Sequence, residues 1–168
     1  MLTAALQRGR TKPETRYLQL ATLGLDGRVR NRSVVFRGFG PESELLVLTD
    51  ARSRKCSELA ADPRAEVCWY LPVTREQFRL EVEVDRFAAG APPAWAKLRQ
   101  DLWEARGAQG QAEWLGAIPA APVPLAVEAF VLLACRVSTV DHLELRPRPQ
   151  QHSRYRRCDQ GWEITPLT

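Results

Sequence analysis

Histidine, methionine and cysteine are scarce here: the 168 residues include two histidines, one methionine and four cysteines. Cys56, Cys68, Cys135 and Cys158 form neither a CxxC pair nor another metal-type spacing. A zinc site and a disulfide framework are therefore not expected. Long apolar runs are missing too, and nothing reaches the about 18 residues that a membrane-spanning helix needs. Met1-Leu2-Thr3-Ala4-Ala5 lacks a charged stretch leading into a long apolar run, so no signal peptide is expected. These absences predict a cytoplasmic chain with reduced thiols and no bound metal.

What is present is an ordinary globular mixture, 45% hydrophobic and 26% charged. The length suits a single domain over residues 1–168 with a sizeable core. The net charge of +4 and pI of 9.1 are mildly basic. They fit an anionic partner, either nucleic acid or a small molecule in a pocket, or a basic surface without one.

Period-two patterns dominate the first half. Tyr17 to Leu23 and Val29 to Phe39 read as strands joined through the hairpin turn Gly24-Leu25-Asp26-Gly27. Leu45 to Leu48 is a short buried strand. Cys56, Leu59 and Ala60 then follow helical spacing until Asp62-Pro63 stops the run, with Ser53 or Asp50 as N-cap. Strands return over Glu66–Leu71 and Gln77–Val84, the latter with Phe78, Leu80, Val82 and Val84 inward. Residues 88–124 form a helical and loop insertion, with a helix near Pro93–Ala105 and mostly loop beyond it. Ala129–Val137 is another strand, His142–Leu145 extends or follows it, and Tyr155 and Trp162–Ile164 suggest a last one. The order predicts a mainly β, mostly antiparallel barrel with a few helices.

Thr49-Asp50-Ala51-Arg52-Ser53-Arg54-Lys55 carries the clearest functional signal. It sets cations at a helix N-terminus, whose dipole prefers negative charge. A bound anion reverses the sign, with the free N–H groups and the cations as clamps. Arg28, Arg30 and Arg32 share a face of the second strand with Val34 and Phe36. Arg28 and Arg30 read equally well as solvated residues of an edge strand. Arg32 stands where cation gives way to apolar side chain, as a ligand pocket requires. Ser33, Val34 and Val35 can offer backbone N–H and C=O groups to a planar heterocycle, and Gln77 offers both donor and acceptor.

Five segments taken together resemble the FMN-binding split barrel of the pyridoxamine 5′-phosphate oxidase-like proteins. They are Asn31–Arg37, Leu48-Thr49-Asp50 with Ser53-Arg54-Lys55, Asp62-Pro63, Cys68-Trp69-Tyr70 and Glu76–Arg79. They cover roughly residues 13–85, with a weaker echo from His142 to Leu167. The resemblance implies an FMN-dependent oxidoreductase working as a homodimer, with FMN at the subunit interface and a small-molecule substrate. Arg32, Arg54 and Lys55 would clamp the FMN phosphate. Ser33, Val34, Val35, Leu48, Thr49 and Ser53 would line the flavin, Gln77 would touch its ring, and Arg154 in the tail is a further flavin contact. Arg37 stands where the oxidase has a substrate-contacting lysine, and it or Arg146 would stabilise negative charge on the reduced ring. His152 is a substrate-side candidate.

The departures count as well. Gln150 stands where the oxidase has a substrate-holding arginine, and Arg146 replaces a tail tryptophan that meets the flavin. The middle region shows no Tyr, Arg and Ser set for a substrate phosphate. The chain thus resembles the wider oxidase-like branch more than the oxidase itself. A non-catalytic flavin-binding or storage protein is an alternative, and a basic nucleic-acid-interaction module is a weaker one. Residue types alone leave a larger flavin or a deazaflavin open in place of FMN.

Overall fold

A computed structural model describes residues 1–116 and 129–167. The strands are β1 (Tyr17–Leu23), β2 (Val29–Phe39), β3 (Leu45–Asp50), β4 (Arg64–Leu71), β5 (Glu76–Phe87), β6 (Phe130–Glu144), β7 (Gln151–Cys158) and β8 (Gly161–Pro166). The helices are α1 (Leu2–Gly9), α2 (Arg54–Ala61), α3 (Pro93–Glu104) and α4 (Gly107–Gly116), with a 3₁₀ turn at Pro13–Arg16. All strand pairs are antiparallel, in the order β3-β2-β1-β4-β5-β6-β7-β8. A further pairing of β3 with β6 closes the first six into a barrel. β7 and β8 form a hairpin on the second half of β6.

Alternation decides what faces inward. Leu18 and Leu20, Val67 and Trp69, Phe78 and Leu80, and Leu133 fill the barrel. Each large apolar side chain buried there contributes about 1.5–3 kcal/mol. β6 keeps this face along its length because its register shifts near Ser138, so that Val137 and then Val140 both meet the core. α1 adds Ala5, Leu2 and Leu6 to this core, while α2 contributes Leu59 and packs on β1. A second, smaller core lies outside the barrel. Trp95, Leu98 and Leu102 of α3 cover Leu46, Leu132 and Ala134, with Trp95 stacked on Phe87 at 4.2 Å.

Several sequence expectations change here. β2 is an edge only in its first half: the stretch carrying Arg30 pairs with β1 alone among the described residues, as expected, whereas β3 covers the other side from Phe36 onward. Residues expected to be mostly loop after Ala105 form α4 as far as Gly116. The rest of that predicted loop, residues 117–124, lies outside the described residues. The tail makes two strands instead of one, and α1 was not foreseen. Among the described residues, no helix is long and apolar enough to cross a membrane.

Candidate functional site

At one mouth of the barrel, β3 delivers Thr49 and the chain turns into α2. Ser53 takes the N-cap position but makes no side-chain cap bond. Its hydroxyl instead lies 3.2 Å from Thr49 Oγ1. The backbone N–H groups of Arg54 and Lys55 make no hydrogen bond among the described residues, and the first turn holds no acidic side chain. Lys55 Nζ donates to Thr49 Oγ1 at 2.8 Å. Burial, with the Arg32 guanidinium nearby, holds the Lys55 ammonium below its ordinary value. Arg52 turns away and is taken by Asp50 through both backbone and side chain, which leaves it a surface residue.

Arg54 stands at the helix start. There it lines a cleft of about 280 Å³ with Arg30, Ser57, Glu58 and the β1–β2 turn. Gly27 in that turn has φ +75, a value side-chain-bearing residues rarely adopt, so the tight return needs glycine. Arg32 reaches into the mouth from β2. Its Nη1 donates to Leu20 O at 3.1 Å and Thr22 Oγ1 at 2.5 Å, and its Nη2 to Glu58 Oε2 at 2.6 Å. Glu58 was missed from sequence. Its one signal was an acid beside the apolar face formed by Cys56, Leu59 and Ala60.

β2 itself is open where it matters. Residues 29–35 pair with β1, but β3 meets β2 only from Phe36 onward. Along Arg32–Val35 one backbone edge therefore has no strand partner among the described residues. Val34 points inward and is buried, so only its backbone faces that edge. Ser33, Val35 and Arg37 alternate to the outer face. Beyond them the register shifts between Phe36 and Gly38, and Gly38 has φ +141.

A cleft of about 310 Å³ opens on this outer face beside Arg37, lined also by Arg16, Leu48, Leu102 and Arg106. Burial and the charges of Arg106 and Arg16 hold the Arg37 guanidinium below its ordinary value. Neither Arg37 nor Arg16 has a carboxylate partner among the described residues. Arg106 is anchored by Gly110 O and lies 5.5 Å from the Trp114 ring centroid. Such a gathering of like charge favours an anion. Sequence reading missed Arg16 and Arg106 because nothing local links a 3₁₀ turn to the α3–α4 junction.

The other expected contacts lie elsewhere. Gln77 is on β5, and the order β2-β1-β4-β5 sets it three strands from Val35, across the barrel. His152 pairs with Leu143 beside it, and Arg154 with Asp141. Arg154 binds Asp141 through two bonds of 2.6 and 2.8 Å, which depress the Asp141 carboxyl below its ordinary value. Arg154, read as a further flavin contact, is thus ion-paired with Asp141. Arg146 donates to Val73 O at 2.6 Å. The second histidine, His142, is buried, bonded to Glu76 at 2.8 Å and stacked on Phe78.

A closed antiparallel barrel with an anion-ready helix start at its mouth and an unpaired strand edge beside it defines a class: small barrels that hold a phosphorylated planar cofactor. Comparison with known proteins sharpens this. The profile "Pyridoxamine 5'-phosphate oxidase, FMN-binding domain" matches residues 1–86. The chain is 38% identical over 125 residues to pyridoxine/pyridoxamine 5'-phosphate oxidase 2 of Arabidopsis thaliana, which spans 73% of this chain and 63% of that protein. It is 36% identical to a pyridoxamine 5'-phosphate oxidase-related, FMN-binding protein of Nostoc punctiforme, with TM-score 0.77 over 99% of this chain and 95% of that one. PhzG of Burkholderia lata, solved with tetrahydrophenazine-1-carboxylic acid, shares the fold at TM-score 0.78 and 18% identity, over 99% and 90% of the two chains. The chain belongs to the pyridoxamine 5'-phosphate oxidase family and carries its FMN-binding domain. It spans just under two thirds of the Arabidopsis relative's length.

The mouth fits FMN on its own geometry. Two unbonded helix N–H groups, the Thr49 and Ser53 hydroxyls and Lys55 suit a phosphate. The free edge of β2 suits the hydrogen-bonding rim of a flavin ring.

Proposed function

We propose that this chain is an FMN-dependent oxidoreductase for a small anionic substrate, working as a homodimer with two composite sites. The start of α2 carries this reading, since its unbonded N–H groups and Lys55 lie beside an unpaired strand edge. Lys55, Arg32 and Arg54 take the phosphate, and Thr49 and Ser53 add hydroxyls. Ser33, Val34 and Val35 present backbone to the ring. Arg37, Arg16 and Arg106 hold the substrate's anionic group. FMN, when bound, supplies the electron transfer. The protein supplies orientation and charge.

The wide separation of Gln77, His152 and Arg154 from this mouth supports the dimer. A second copy can bring that patch to the first copy's flavin. The four free thiols suit a cytoplasmic setting. The test is direct. The purified protein should be yellow and release a flavin spectrum on denaturation, and the flavin should be reduced and reoxidised in steady-state turnover. A colourless preparation that ignores added FMN overturns cofactor binding. Bound flavin that never turns over with any anionic reductant and acceptor leaves a flavin carrier instead of an enzyme.

A further inference from the structure

Glu58 is an unexpected charge at the phosphate mouth. It follows Lys55 by three residues and Arg54 by four, so all three sit near one another on α2. It is buried, and Oε2 accepts from Arg32 Nη2 at 2.6 Å and from Thr22 Oγ1 at 2.6 Å. A carboxylate has the wrong sign for a phosphate site. Its presence is explained by Arg32, whose side chain is only 22% exposed. A largely buried cation without a counter-charge is strongly destabilising.

The same bonds show what is left for a ligand. A guanidinium has five N–H groups. Leu20 O and Thr22 Oγ1 use Nη1, and Glu58 uses one N–H of Nη2. Among the described residues nothing takes Nε or the second Nη2 N–H, on a cation whose charge is already partly neutralised.

We infer that Glu58 is a positioning residue that fixes Arg32 for the FMN phosphate and competes with that phosphate for it. The cofactor-free protein is thereby stabilised at the expense of FMN affinity. This rests on the reading of Arg32 and Lys55 as phosphate clamps.

Glu58→Gln keeps the shape and an acceptor for Arg32 but removes the charge. The cofactor-stripped variant should melt at a lower temperature than wild type. It should bind FMN about ten-fold tighter, with riboflavin affinity unchanged, as read by quenching of flavin fluorescence. These opposite signs distinguish competition from a purely structural role, which would lower stability and weaken both flavins together. Weaker FMN binding, or FMN and riboflavin moving alike, overturns the inference. If the stripped variant does not stay folded, the loaded one is read by its FMN dissociation rate. About ten-fold slower release is expected there, and equal or faster release overturns the inference.

Lys55→Met is the separate control for the underlying reading. It should weaken FMN about ten- to a hundred-fold, the worth of one charged hydrogen bond, and spare riboflavin. If that ratio does not move, the phosphate lies elsewhere and both readings fall. If Lys55→Met shifts the ratio but Glu58→Gln does not, the inference alone falls.

Discussion

Arginine side chains here divide by whether a carboxylate claims them. Arg30, Arg52, Arg64, Arg79 and Arg154 are paired with acids, most of them at the surface, where a pair contributes little. Arg16 and Arg37 have no such partner among the described residues, and they face the cleft beside the proposed flavin edge. Arg106→Ala should therefore raise KM for an anionic substrate about ten-fold while leaving FMN affinity unchanged. Equal losses of both would place Arg106 in cofactor binding. Arg37→Ala should also lower the flavin reduction potential by a few tens of mV, 30 mV being about 1.4 kcal/mol for a two-electron couple. An unchanged potential in spectroelectrochemical titration would remove Arg37 from the ring.

Glu76 makes the pH-dependent case. Burial pushes its carboxyl up, but bonds from Thr74 and His142 and the charges of His142 and Arg8 outweigh this and leave it below its ordinary 4.5. A carboxyl depressed by folding contributes stability above its unfolded value and loses it as pH falls through the folded one. Glu76→Gln should thus cost about 1–3 kcal/mol near neutral pH, and the gap from wild type should close as pH drops below 4.5. A gap that holds constant in thermal melts across that window would show that the charge is irrelevant.

Elements differed sharply in how legible they were. β1 and β5 were readable because every second residue is buried, and β2 because the Gly24–Gly27 turn ties it to β1 as a hairpin. α2 was readable from Cys56, Leu59 and the Asp62-Pro63 stop. α1 escaped because Leu2, Ala5 and Leu6 form a short apolar face among polar residues, and only the barrel end they cover gives them a partner. β6 was read in two pieces because its register shift near Ser138 breaks the alternation that a continuous strand should show. The site was half legible. Cations at a helix start announce an anion locally, whereas Glu58, Arg16 and Arg106 gain meaning only from what the fold sets opposite them. The seam between β3 and β6 has no sequence signature either, yet it closes the barrel. Leu133, fully buried beside Val47 on that seam, should cost about 2–5 kcal/mol as Leu133→Ala in denaturant melts. A loss under 1 kcal/mol would mean that the seam is loose.

At the scale of the whole molecule, the two separated patches make a test by mixing possible. Lys55→Met damages one patch and Gln77→Ala the other. In a mixed dimer, one composite site carries both defects and its twin carries none. Unfolding and refolding the two variants together should then restore high-affinity FMN binding at about one site per mixed dimer. If each site is built within one copy, mixing restores nothing.

The unpaired stretch of β2 between Arg32 and Val35 has a further consequence. A row of free N–H and C=O groups on a strand invites any other strand to add to it. In a barrel otherwise sealed at its β3–β6 seam, this gap is a place where a foreign chain could be stitched in. A cofactor seated on that edge, as proposed, would also guard it. Freshly stripped protein should clump in proportion to its concentration, and a flavin occupying the gap would act as a plug against self-association as well as a reactant.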